Sequence, residues 1–149
     1  MSDTIREVAH GSPDYWAMVA LRDAVLRKPL GLRYADEQLA AEKDSLHIAC
    51  YRGKRLVGCL VLSPQDGDGR MRHVVVVEDL RGQGIGTALV GYCEAAARRI
   101  GYRQIVLNAR ETAVPFYERQ GYRRIGERFQ QVTIPHWAMV KPLADVNAK

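Results

Sequence analysis

Cysteine is scarce in this chain. Its three copies, Cys50, Cys59 and Cys93, are odd in number and lack C-x-x-C spacing. That excludes a disulfide framework and a zinc ribbon, and leaves reduced, mostly buried thiols of a cytoplasmic protein as the expectation. Long apolar runs are missing as well. No stretch approaches the ~20 residues that a membrane-crossing helix needs, and the opening MSDTIREVAH has no signal-peptide core, so no membrane partner is expected. No group of His, Cys, Asp and Glu has metal-ligand spacing, so no metal is expected. The net charge of +5 would suit a polyanion. Yet nothing resembles a helix-turn-helix or an RNP motif, so nucleic acid is not the expected partner. There is no internal repeat, low-complexity segment or linker. A chain of 149 residues then reads as one domain, 1–149, able to bury a sizeable core.

What is present is a series of short periodic segments. Thr4–Val8 leans towards a strand. Ser12 and Pro13 suit the cap and first position of a helix, and Met18, Leu21 and Val25 recur at helical spacing, which predicts a helix over Asp14–Arg27. Pro29 and Gly31 end it. Leu30–Tyr34 reads as a loop and Tyr34–Lys43 as a weaker helix anchored by Leu39. Leu46–Tyr51 and Arg55–Leu62 read as a hairpin around Arg52-Gly53-Lys54. Ser63–Gly69 is turn chemistry, and Arg70–Val77 is a fourth strand. A helix follows over Gly84–Ile100, with Gly101 as its stop. Then come a strand at Gln104–Leu107, a helix at Ala113–Gln120, and strands at Tyr122–Phe129 and Val132–Val140. The Val74–Val77 run is apolar on both faces, so the expected fold is mixed α/β, a sheet covered by helices on both sides.

The chain is organised around VVVVEDLRGQGIGTAL, Val74–Leu89. A Val-rich strand, a glycine-punctuated turn and an amphipathic helix aim bare backbone N–H groups at a phosphate. Gly84 and Gly86 let an anion approach the main chain. A P-loop is excluded because no Lys follows Gly86, and a dinucleotide fingerprint because the third glycine position is Leu89. What remains is R-x-x-G-x-G, at Arg81, Gly84 and Gly86.

This resembles the acyl-CoA pyrophosphate loop of the GNAT superfamily of N-acetyltransferases. A second match is the family's F-Y-x-x-x-G-[FY] ending, here Phe116, Tyr117, Glu118, Arg119, Gln120, Gly121 and Tyr122. The two motifs have the family's order and separation, and the match spans roughly Val57–Tyr122. The tail Phe129–Met139, with Ile134-Pro135-His136, looks like one branch of that family. The resemblance implies the GNAT fold: a central mixed, mostly antiparallel sheet splayed between two neighbouring strands, with helices on both faces. It implies acetyl-CoA as the acyl donor, held by Arg81, Gly82, Gln83, Gly84, Ile85, Gly86 and Thr87, with backbone donors around Val75 and Val76. It also implies Tyr117 as the general acid for the CoA sulfur. The family often has Asn seven residues before this Tyr. Here that position is Arg110, with Asn108 two residues earlier, and both are candidate cofactor contacts.

The general base stays open between His73 and His136, whose residue type titrates in the right range, with Glu78 and Glu111 also able to act directly or through water. The expected acceptor is a small-molecule primary amine, and the expected state a monomer or homodimer. Two other classes remain at this point: a CoA-binding regulatory module without turnover, and a basic nucleic-acid-binding domain.

Overall fold

The computed structural model describes residues 3–143, so residues 1–2 and 144–149 of the expected domain lie outside the described residues. Strands β1 (Asp3–Val8), β2 (Leu46–Arg52), β3 (Arg55–Gln65), β4 (Asp68–Val76), β5 (Gln104–Arg110), β6 (Arg123–Gln131) and β7 (Ile134–Pro142) form one sheet in the order β1-β2-β3-β4-β5-β7-β6. Every pair is antiparallel except β4–β5. Helices α1 (Pro13–Arg22), α2 (Asp36–Ala40), α3 (Ile85–Ile100) and α4 (Val114–Arg119) complete it. No described helix is long and apolar enough to cross a membrane.

Strand alternation divides the core between two faces. Ile48, Cys50, Leu60 and Leu62 pack with Leu89, Cys93 and Ala97 of α3. Ala49, Tyr51, Cys59 and Val75 pack with Met18 of α1. The sheet is thus covered on both sides, as an apolar central strand requires.

The parallel pair is what shapes the molecule. β4 and β5 meet only at Gly69↔Ile105 and Arg70↔Val106. Beyond Arg70 the two strands part, while β4 stays paired with β3 as far as Val76 and β5 with β7 as far as Arg110. The Val77 N–H bonds the Val57 carbonyl at 2.9 Å, towards β3. Alternation then turns the Val76 N–H to the open side of the gap, while Val75 pairs with Cys59.

Several element boundaries differ from the sequence reading, each for a physical reason. The first helix keeps α geometry only to Arg22, then widens to a π turn over Asp23–Arg27 and tightens to a 3-10 turn over Lys28–Leu30. Pro29 has no N–H to continue the α ladder. The second helix covers only Asp36–Ala40, because Glu42 turns inward to bond Arg22. The stretch Ser63–Gly69 is mostly strand. Its turn is Asp66-Gly67 alone, both with positive φ (52° and 86°), the two-residue Asp-Gly hairpin that suits twisted strands. β5 runs on to Arg110 because β7 pairs with its whole length. The last hairpin turns at Val132-Thr133, so its strands run to Gln131 and from Ile134.

Candidate active site

Two cavities open where β4 and β5 separate. The larger, about 760 Å³, is lined by Val74, Val75 and Val76 of β4, by the glycine turn, and by Phe116, Tyr117 and Gln120 of α4. The smaller, about 220 Å³, lies on the other side of the gap against Tyr34, His73, Asn108, Gln131 and His136. Arg110 and Tyr117 line both.

The glycine turn is built for close approach. Gly82 and Gly84 have φ of 82° and 86°, a region that β-carbon sterics deny to most residues. Gly84 begins α3 with no side-chain cap. The first ladder bond runs from the Ala88 N–H to the Gly84 carbonyl, leaving the N–H groups of Ile85, Gly86 and Thr87 without intrahelical partners. A Cβ on Gly86 would sit 3.2 Å from the Phe116 ring, so glycine there keeps the cradle open. The cations Arg81, Arg110 and Arg119 line the same cavity. Uncapped helix N–H groups, a glycine cradle and flanking guanidinium groups fit a pyrophosphate.

Of the sequence-expected contacts, Val75, Val76, Arg81, Gly82, Gly84, Ile85, Gly86, Thr87, Arg110 and Tyr117 line this cavity, whereas Gln83 and Asn108 do not. Gln83 accepts from Arg52 at 3.4 Å, away from the gap. Asn108 lines the smaller cavity and donates to Gln131 at 3.3 Å. Asn108 and Arg110, two residues apart, share a face of β5 and both line the smaller cavity; Arg110, at the strand's end, also reaches the larger one and donates to the Leu26 carbonyl of the π turn at 3.1 Å. Arg119, Thr112 and Gln120 belong to the cavity too. Arg119 and Gln120 fall at x positions of the F-Y-x-x-x-G ending, and no motif marks Thr112.

Tyr117 is only 8% exposed, and burial pushes its hydroxyl pKa up, so the phenol stays protonated. Its ring packs edge-on against Phe116 and Tyr122. Among the described residues the hydroxyl has no hydrogen-bond partner, and it is not among the sealed, unsatisfied polar atoms.

The two histidines differ sharply. His136 is 5% exposed and sits opposite Arg110 across the β5–β7 register. Its Nδ1 lies 2.7 Å from the Ile134 carbonyl. A carbonyl oxygen only accepts, so Nδ1 carries the hydrogen and Nε2 is the basic nitrogen of the neutral ring. His73 occupies a bulge in β4, where the register to β3 shifts between Cys59 and Val61, with φ of 55°. Such strain persists where the surroundings over-determine it. Its Nε2 faces a Glu42 carboxylate oxygen at 3.5 Å, and Nδ1 lies 3.1 Å from the Tyr34 hydroxyl, which donates to it. Burial, aided by the nearby Arg22, drops its pKa to about 3, so the ring is neutral and both nitrogens are engaged.

Glu42 is held in turn by Arg22, which is fully buried and donates to it twice, at 2.9 and 2.7 Å, and by the Tyr15 hydroxyl at 3.0 Å. Burial opposes the charge on Glu42, but Arg22 outweighs it and keeps the carboxyl pKa low. The guanidinium carbons of Arg22 and Arg27 lie 4.5 and 4.6 Å from the Tyr34 ring centroid. None of Arg22, Tyr34 and Glu42 stands out in the sequence, since only the chain's return between α1, α2 and β4 brings them together.

Residues 25–143 match the family model described as an acetyltransferase (GNAT) domain. The chain is 34% identical over 122 residues to the uncharacterized N-acetyltransferase YjcF of Bacillus subtilis, covering 81% of this chain and 87% of that protein. Escherichia coli ElaA has the same fold, with a TM-score of 0.81 and 21% identity over 94% of this chain and 99% of that one. So does an aminoglycoside 6'-N-acetyltransferase complexed with coenzyme A, with a TM-score of 0.79 and 20% identity over 95% and 97%.

Proposed function

This chain belongs to the GNAT family of acetyltransferases, whose members draw on acetyl-CoA, and from that premise we propose that it acetylates a small primary amine by direct attack. Acetyl-CoA supplies the reactive thioester. The chain's own residues bind it, orient it and manage two protons. The uncapped N–H groups of Ile85, Gly86 and Thr87, with Arg81 and Arg119, hold the pyrophosphate end, while Arg110 stands where the two cavities meet. The Val76 N–H serves as a main-chain donor inside the gap.

The amine enters from the smaller cavity. Its nitrogen forms a bond to the acetyl carbon, and the carbon–sulfur bond breaks. His136 takes the proton the amine must lose, through Nε2. Tyr117 gives its hydroxyl proton to the departing sulfur. We assign proton removal to His136 rather than His73, because both nitrogens of His73 are engaged and its pKa is about 3. His73 instead anchors Tyr34 in the cavity wall. The observation that carries the reading is Tyr117, which lines both cavities with a hydroxyl that has no protein partner. The small volume of that cavity, about 220 Å³, supports a small acceptor over a folded protein surface. The three buried free cysteines fit residence in a reducing cytoplasm.

The test is a panel of primary amines with acetyl-CoA, scored by release of free thiol. Turnover that depends on the amine supports the reading. Binding of acetyl-CoA without turnover for any small amine or peptide N-terminus would leave a CoA-binding module instead.

A further inference from the structure

The smaller cavity has a marked charge bias. Arg27, Arg72 and Arg110 line it, with His73 and His136, and no Asp or Glu does. None of the three arginines has a carboxylate partner among the described residues. The nearby acids are committed elsewhere: Glu42 to Arg22, and Glu111 to Arg128 at 2.9 Å. Two of these cations are also held in place. Arg27 is stacked 4.6 Å from the Tyr34 centroid, and Tyr34 is fixed by His73. Arg110 is tethered to the Leu26 carbonyl, which leaves the rest of its fork unpaired. The positive field reaches the wall itself, since Arg22, Arg72 and Arg27 all act to depress the His73 pKa, after burial.

Three guanidinium groups around one small, acid-free cavity repel one another unless an anion enters with the ligand. We propose that the acceptor is a small primary amine carrying a carboxylate or phosphate, bound through Arg27, Arg72 and Arg110. This rests on the reading of the smaller cavity as the acceptor side of an acetyltransferase. A polycationic amine would meet charge of its own sign and find no carboxylate to receive it. The same field helps the chemistry. Neighbouring positive charge lowers an ammonium pKa, so more of the bound amine is neutral and able to attack. The anionic group restores the affinity that the amine loses. The volume sets the scale: about 220 Å³ lies below the ~300–1,000 Å³ usual for drug-sized ligands.

Matched amines test this. Propylamine is compared with β-alanine, ethanolamine with O-phosphoethanolamine, and spermidine stands for polycations. kcat/KM is read by thiol release at saturating acetyl-CoA. The anionic member of at least one pair should exceed its neutral partner by about tenfold or more, as charge-assisted hydrogen bonds imply. The pair that responds tells carboxylate from phosphate. In the Arg27→Gln/Arg72→Gln double variant that ratio should fall to about one, whereas Arg123→Gln, on the exposed face of β6, should keep it. Melting temperatures establish that each variant is folded. A second arm needs no turnover: inorganic phosphate is titrated by calorimetry into protein saturated with coenzyme A, whose own phosphates then fill the larger cavity. Binding in the wild type that the double variant loses supports the proposal. Preference for the neutral or polycationic amines, a ratio that survives in the double variant, or no difference in phosphate binding overturns it. If coenzyme A itself gives no heat, the acetyltransferase reading fails with it. If coenzyme A binds and neutral amines turn over best, only the anionic acceptor is lost.

Discussion

Tyr117 is a largely buried phenol whose hydroxyl has no protein partner among the described residues and is not sealed from the cavities, which leaves it free to serve a ligand. If it protonates the departing sulfur, the interaction exists mainly in the transition state. Tyr117→Phe keeps the ring and its contacts with Phe116 and Tyr122, so no cavity opens. The expected outcome is a fall in kcat towards the low end of ~10²–10⁴-fold, because a CoA thiolate is already a fair leaving group. Acetyl-CoA affinity by calorimetry should hardly change. An unaltered single-turnover rate in the folded variant would remove Tyr117 from the chemistry. His73 leads to a different measurement. It is neutral when folded, with a pKa of about 3 against an ordinary 6.5. Between those values the unfolded chain binds a proton that the folded chain refuses, so stability present above pH 6.5 is lost as pH falls towards 3. The slope for one such group is at most ~1.4 kcal/mol per pH unit. Arg22, Arg27, Arg72, Glu42 and Tyr34 surround it, and the lowered pKa of His47 adds a loss of the same sign. His73→Gln removes the His73 share, so its melting temperature should fall less steeply than the wild type's between pH 7 and 5. Parallel slopes would mean that folded His73 takes up the proton.

At the scale of elements, the site is a consequence of strand pairing. Two parallel partners hold β4 to β5, and everything beyond them is a gap. The periodicities of α3, β3 and β4 and the glycine turn were legible in sequence because each is a local pattern. The splay itself was legible only through family resemblance, since no residue pattern marks where a pair of strands stops bonding. The Asp66-Gly67 hairpin carried an Asp-Gly signal, but Pro64 beside it reads as a breaker, and a proline inside a paired strand defeats a local reading. Arg27, Tyr34 and Arg72 lie on three separate segments, so their meeting is purely tertiary. The β6–β7 hairpin is a case of local preference overruled. Val132 and Thr133 turn it with φ of 46° and 62°, although β-branched side chains resist that region. Val132 and Gln131 line the smaller cavity, so the strained tip forms part of its wall. Replacing the pair with Asn-Gly supplies residues that the turn prefers. The double variant Val132→Asn/Thr133→Gly should raise the denaturation midpoint, the unfolding free energy gaining roughly 1–3 kcal/mol of relieved strain, at some cost in acceptor KM. A lower midpoint would show that the Val132 side chain contributes more by packing than its backbone costs.

Taken whole, the molecule has a sheet pinned together at one end of the β4–β5 junction and open at the other, with a helix start, a π turn and α4 around the opening. A ligand that bridges these parts binds only the folded chain, because the cradle exists nowhere in the unfolded one. Such a ligand stabilises by mass action, ~2.7 kcal/mol at a hundred times its dissociation constant. For a domain of this length that corresponds to a rise in melting temperature of roughly 5–10 °C. Acetyl-CoA should therefore raise the melting temperature by that amount. NAD and ATP should do less, since the turn matches neither a dinucleotide fingerprint nor a P-loop. Gly86→Val separates the loop from general nucleotide affinity. A Cβ there already meets Phe116 at 3.2 Å, and two more methyl groups fill the approach to the helix N–H groups. The substitution lies inside α3, where Gly86 has ordinary helical backbone, so the variant should fold with a modestly lower melting temperature of its own. Its shift with acetyl-CoA should nearly vanish. A folded Gly86→Val protein that keeps the full shift would place the pyrophosphate away from the glycine turn, and a larger shift with NAD than with acetyl-CoA in the wild type would overturn the assignment of the larger cavity.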